Sequence, residues 1–156
     1  MGVRANLPDS FEAMSDNSLP SKIERLRSIW LFAECSKKEL QLLERACDEA
    51  SATAGTIICE EGHFGRDFYM ITSGSAKVTK GGNEVARLEA SDHFGELALL
   101  DHQPRSATVT AVTDVELLVL PAREFTSVLE EIPTMAIRLL ATMAAQLRRA
   151  DEAAYE

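Results

Sequence analysis

The hydrophobic positions of this chain change their period twice. Across residues 21–47 they recur at helical spacing: Ile23, Leu26, Ile29 and Trp30 form one set, and Leu40, Leu43 and Cys47 a second. Each set opens with a capping box, Ser21 with Glu24 and Ser36 with Glu39, in which side chain and backbone satisfy each other's orphan groups. Two short helices joined at residues 33–35 are therefore predicted, with Trp30 and Phe32 packing them onto the body of the fold. After Ala54 the period shortens towards two, and β-branched and aromatic residues dominate TIIC, FYMIT, AKVTK, EVARL, SATVTAV and VELLVL. Turn residues separate these runs at Glu61-Gly62, Ser73-Gly74, Gly81-Gly82-Asn83 and Thr113-Asp114. Helical spacing then returns. Pro121 suits the first turn of a helix reaching about Glu131. Pro133 opens another, with Ile137, Leu140, Met143, Ala144 and Leu147 on one face.

The predicted order of helices, short strands and helices describes a mainly β protein, an antiparallel β roll or jelly roll with flanking helices. Residues 1–20 read as an arm, and residues 21–150 as one domain. Within it, residues 21–50 hold the N-terminal helices, 51–120 the roll and 121–150 the C-terminal helices, with 151–156 a polar tail. The helix at 133–150 has two readings. Its apolar face either packs on the roll or serves as a lid, a seam between two copies of the chain, or both.

Composition narrows the function. With 156 residues, 46% apolar and 26% charged, the chain can bury a core without disulfides or a structural metal. The 16 Lys and Arg against 25 Asp and Glu leave a formal charge of −9, which argues against binding nucleic acid unaided. A bound anion must be held by a local constellation. Cys35, Cys47 and Cys59 contain no C-x-x-C pair and are odd in number, which fits a reducing, cytoplasmic setting and buried structural thiols. Neither a secretory signal nor an apolar run of membrane-spanning length is present, so no membrane association of its own is expected. His63, His93 and His102 form no H-x-H pair, and no metal site is expected.

The stretch from His93 to Thr108 breaks the strand pattern. Gly95 permits a tight turn, and Leu97 to Leu100 favour about one helical turn, so backbone N–H groups at Glu96, Leu97 and Ala98 should point outward as anion donors. Pro104 stiffens the approach to Arg105, whose planar guanidinium can grip two phosphate oxygens, and Ser106 and Ala107 add backbone donors. Glu96 beside an anion site needs a donor on the ligand, and a ribose hydroxyl supplies one. Together these point to a ribonucleotide phosphate.

Phe94-Gly95-Glu96-Leu97-Ala98-Leu99-Leu100, followed after three residues by Pro104-Arg105-Ser106-Ala107-Thr108-Val109, resembles the phosphate-binding cassette of cyclic nucleotide-binding domains, here residues 93–108. That family includes kinase regulatory subunits, the catabolite activator protein and cyclic nucleotide-gated channels. Gly55-x-x-Ile58-x-x-x-Gly62 and Phe68-Tyr69-x-Ile71-x-x-Gly74 are similar to its glycine framework. The resemblance implies that Phe94, Gly95, Glu96, Leu97, Ala98, Arg105, Ser106 and Ala107 bind the ligand. Gly95, Leu97 and Ala98 would offer N–H groups, Glu96 would accept from the ribose 2′-hydroxyl, and Arg105 would pair with the exocyclic phosphate oxygens. Ser106 and Ala107 would complete the cradle, and the helix at 133–150 would close over the base. At the place where the family usually has an acidic residue that orients the arginine, this chain has Arg66, with Asp67 next. Either Asp67 takes that role or Arg105 is held differently.

The resemblance thus implies a sensor that binds cAMP in preference to cGMP, has no cofactor, catalyses nothing, and signals to an effector protein by moving its C-terminal helix. Homodimerisation through residues 133–150 is a further expectation. The alternatives are a nucleotide-insensitive interaction module on the same fold, or the sensor half of a transcription regulator or channel.

Overall fold

The computed structural model describes residues 20–154; the expectations for residues 1–19 and for the end of the polar tail lie outside them. Helix α1 (Lys22–Ser28), a 3-10 turn (Trp30–Phe32) and helix α2 (Lys37–Ala46) lead into strands β1 (Asp48–Ala52), β2 (Ile57–Cys59), β3 (Asp67–Ser73), β4 (Ala76–Lys80), β5 (Asn83–Leu88) and β6 (His93–Phe94). A short helix α3 (Glu96–Asp101), strands β7 (Thr108–Ala111) and β8 (Val115–Pro121), and helices α4 (Ala122–Glu131) and α5 (Pro133–Ala154) complete the chain. Both capping boxes form, with the Ser21 and Ser36 hydroxyls accepting from the backbone N–H groups of Glu24 and Glu39.

The strands make two four-stranded sheets, in the orders β1-β8-β3-β6 and β2-β7-β4-β5. Every pairing is antiparallel, as in a jelly roll. The continuous apolar runs of β3 and β8 follow from burial on both faces. Tyr69, Ile71, Leu117 and Val119 point between the sheets, where they meet Ile58, Phe94 and Val109. Phe68, Met70, Leu118 and Leu120 point outward under Leu26, Phe32, Leu40, Phe125 and Leu139 of the helices. The roll and the helical layer are therefore welded through one sheet. The opposite sheet leaves β5 as an open edge, turned by Gly81 and Gly82, whose φ values of +57° and +85° suit a two-residue hairpin between Lys80 and Asn83.

Four local expectations need correction. A strand, β1, begins at Asp48 within the stretch expected to be helical. Its sequence DEASA has no strand propensity of its own, and the pairing of Asp48 to Ala52 with β8 imposes the conformation. The first helix ends at Ser28, and Trp30 turns outward, half exposed, while Phe32 is buried. The Arg138 guanidinium lies 4.6 Å from the Trp30 ring centroid and donates to the Trp30 carbonyl at 2.6 Å, so the indole fastens α5 rather than filling the core. On α5, Met135 and Leu139 are the buried residues, with Met143 packed beside them. Ile137, Leu140 and Leu147 are 66%, 64% and 65% exposed. The helix carries two apolar stripes; of the face that the spacing singled out, Met143 packs on the core, and Met135 and Leu139 supply the rest of the contact. It also continues through Ala154, into the segment read as a tail.

No helix among the described residues is long and apolar enough to cross a membrane. The two faces of α5 give a direct test in dilute monomer. Leu139→Ala should lower the free energy of urea unfolding by about 2–5 kcal/mol, whereas Leu140→Ala should change it by no more than about 0.5 kcal/mol. Equal losses would contradict the assignment of faces.

Candidate ligand-binding site

Arg105 is held from both ends. Its backbone N–H donates to the His63 carbonyl at 2.8 Å, and its carbonyl accepts from Gly62 N–H at 2.8 Å, which clamps the segment before β7 to the loop between β2 and β3. Its guanidinium donates from Nη1 to the Gly95 carbonyl at 2.8 Å and from Nη2 to the Asp67 carbonyl at 2.7 Å. The side chain crosses the space beside Gly65, where an added Cβ would sit 1.8 Å from Nε. Only 7% of the residue is exposed. These bonds satisfy two of five N–H donors and leave a planar fork for an anion. The open question at Arg66 is thereby answered: Arg66 is exposed, its carbonyl accepts from Ala122 N–H, and the arginine is oriented by the Asp67 and Gly95 carbonyls.

Gly95 caps α3 in the left-handed region at φ +97°, and a Cβ there would fall 2.6 Å from Arg105 Nη1. A side chain at this position therefore meets both backbone strain and the guanidinium. The turn places Glu96 at the start of α3, where a carboxylate is favoured by the orphan N–H groups. Glu96 is buried.

These residues border one cavity of about 270 Å³. Phe94, Gly95, Glu96, Leu97, Ala98, Arg105, Ser106 and Ala107 all line it, so the expected set converges in space. Val78, Val85, Ala86, Leu88 and Val109 form an apolar wall opposite. Donors on one side and hydrocarbon on the other suit a ligand with an anionic group and a flat apolar body. The sequence alone does not disclose this wall, the space reserved at Gly65, or Gln146, which reaches the cavity from α5. Val85 and Ala86 are neighbours that both line the cavity, because the β4–β5 register shifts between Glu84 and Ala86, which no simple alternation in EVARL signals. Nothing local to Gln146 signals its place.

The chain belongs to the cyclic nucleotide-binding domain family. Residues 49–132 match that family. The cAMP-dependent protein kinase regulatory subunit of Yarrowia lipolytica is 38% identical over 97 residues, covering 61% of this chain and 26% of that protein. Among solved structures, the Thermus thermophilus catabolite activator protein superposes with a TM-score of 0.71 at 32% identity, over 78% of this chain and 59% of that one. The regulatory subunit of a Trypanosoma brucei protein kinase A described as cAMP-independent superposes with a TM-score of 0.71 at 27% identity, over 77% of this chain and 43% of that one. The matched segment spans 11% of a Toxoplasma gondii cGMP-dependent protein kinase and 58% of the Thermus thermophilus cyclic AMP receptor protein, so this chain covers less than two thirds of either.

Cys59 lines the same cavity as Arg105. Burial pushes the Cys59 thiol up to about 11, with Asp67 and Glu96 adding to the effect and Arg105 opposing it. Burial likewise pushes Cys47 up to about 12 and Cys35 up to about 11. All three are neutral thiols at physiological pH, inert as nucleophiles. No cluster of three or more His, Cys, Asp or Glu able to hold a metal occurs among the described residues. The raised thiol values fix a sign. Above pH 9.0 the unfolded chain releases thiol protons that the folded chain retains, so stability is full below that pH and falls as pH rises towards 11 and 12. Urea titrations from pH 8 to pH 11 should show that decline, reduced in a Cys47→Ala variant.

Proposed function

We propose that this chain is a sensor that binds cAMP in the cavity beside the cassette and performs no chemistry on it. The observation that carries the reading is the buried Arg105 fork, sharing one cavity with the buried Glu96 and facing an apolar wall. A cyclic phosphate matches the fork, a ribose 2′-hydroxyl matches the carboxylate, and a purine matches the wall. Phe94, Gly95, Leu97 and Ala98 shape the turn that delivers Glu96, and Ser106 with Ala107 borders the phosphate end. Relatives named for cAMP, including the Yarrowia subunit, support adenine over guanine. The hydroxyl of Ser106 leaves cGMP as the weaker ligand.

The switch lies in α5. Gln146 borders the cavity, so a bound nucleotide gains a contact only when the helix lies over it, and ligand shifts the population towards that closed arrangement. Its receiver is an effector protein in the cytoplasm, a setting that fits the free thiols. The exposed stripe of Ile137, Leu140, Ala144 and Leu147 has the three-four spacing of a coiled-coil seam, which a second copy of α5 complements. Sedimentation at rising concentration should show a dimer that Leu140→Glu abolishes, and a monomer at every concentration would remove the seam.

The competing reading is an interaction module that keeps the fold without responding to nucleotide; one neighbour, from a trypanosome, is described as the regulatory subunit of a cAMP-independent kinase. Here the intact fork and the open cavity favour the sensor. Arg105→Lys keeps the charge and loses the fork, so its cAMP affinity should fall about ten- to a hundred-fold by titration calorimetry. Glu96→Gln should narrow the preference for cAMP over 2′-deoxy-cAMP. Wild-type affinity in Arg105→Lys would reject the arginine as phosphate partner, and no binding by the unaltered chain would favour the silent module.

A further inference from the structure

The Glu96 carboxylate carries the sugar recognition of the proposed sensor, and it is buried. A buried carboxylate needs donors, and one with free rotation is a poor reader of a single hydroxyl. Among the described residues it meets one side-chain partner at ion-pair distance. His93 Nδ1 stands 3.2 Å from Glu96 Oε1, and the two side chains are 8% and 7% exposed.

The imidazole is itself fixed. His93 lies in β6 opposite Met70 of β3, and its ring packs at 5.4 Å from the Phe68 ring. Gly95 forces the chain into a left-handed turn between the two residues, so strand and helix bring residues three apart face to face. Nδ1 is fully buried and forms no aligned hydrogen bond in this state. The 3.2 Å separation lies at hydrogen-bonding distance, and alignment is what the pair lacks.

We infer that His93 is a positioning residue for sugar recognition: its Nδ1–H engages Oε1 of Glu96, fixes the carboxylate, and leaves Oε2 to accept from the ribose 2′-hydroxyl. This rests on the cAMP-binding reading. A carboxylate accepts through both oxygens, so one donor from protein and one from ligand can be held together. The partner fixes the tautomer, because only Nδ1–H, and not a bare Nδ1, is attracted to a carboxylate oxygen. The carboxylate therefore meets the sugar in one orientation rather than several.

The test compares cAMP with 2′-deoxy-cAMP by calorimetry on the full chain. The unaltered protein should prefer cAMP. His93→Phe keeps the ring against Phe68 and removes the donor, and should shrink that preference by roughly threefold or more. His93→Asn places an amide donor near the Nδ1 position and should restore it in large part. In parallel, nitrogen-15 spectra of the cAMP complex should show His93 as the Nδ1–H tautomer, and the chain has only three histidines to assign. A uniform loss of affinity for both ligands in His93→Phe, with the preference intact, would make His93 merely structural and overturn the inference, as would a bare Nδ1 in the complex. If the unaltered chain binds neither ligand, the cAMP reading itself falls and takes this inference with it; if it binds both alike, cAMP binding stands and the sugar contact of Glu96, with this inference, falls.

Discussion

A cation with almost no access to water organises this protein. Arg105 can remain buried because carbonyl oxygens from two distant segments meet its guanidinium, and its own backbone is tied to a third. Those same bonds fix where β3, the Gly95 turn and the loop before β3 lie relative to one another. The arrangement couples folding to site geometry: the groups that satisfy the arginine also aim its remaining donors. Gly65 belongs to this arrangement, since its missing side chain is the space that the guanidinium fills.

The second constraint is the doubly buried sheet. Strands β3 and β8 each divide their side chains between the interior of the roll and the helical layer, so neither layer can shift without disturbing the other. The cavity lies away from that weld, between the Gly95 turn and the open-edged sheet. Rigidity is concentrated at the Arg105 end, and the wall formed by the β4–β5 hairpin is bounded by solvent. The proposed sensor, which would have to admit and release a nucleotide, gains from that division.

How much of this could be read from residues alone depends on the distance over which each signal acts. The cassette is a contiguous stretch, and Gly95, Glu96 and Arg105 announce themselves by backbone need and charge, so the candidate residues were legible and all border the cavity. Both capping boxes are local and were equally legible. Strand β1 was not, because Ala50 and Ala52 owe their conformation to β8 rather than to their own preference. Trp30 continues a helical spacing that the chain abandons at Ser28, since its ring finds a cation 108 positions later. The apolar stripes of α5 are alike in sequence, and only the partner surface decides between Met135–Leu139 and Ile137–Leu140. Gln146 carries no local mark of its place at the cavity.

Helix α5 is 22 residues long, or about 33 Å at the usual rise, and Arg138 fastens it near its beginning. Met143 is the last of its residues packed on the core; Gln146 stands three residues beyond it and Ala154 eleven, which correspond to about 4.5 and 16.5 Å. Under the proposed switch, a rigid segment turning about Met143 would convert each ångström of travel at Gln146 into nearly four at Ala154. The domain would then act as a lever of the third kind, in which a small displacement near the pivot is converted into stroke at the far end at the expense of force.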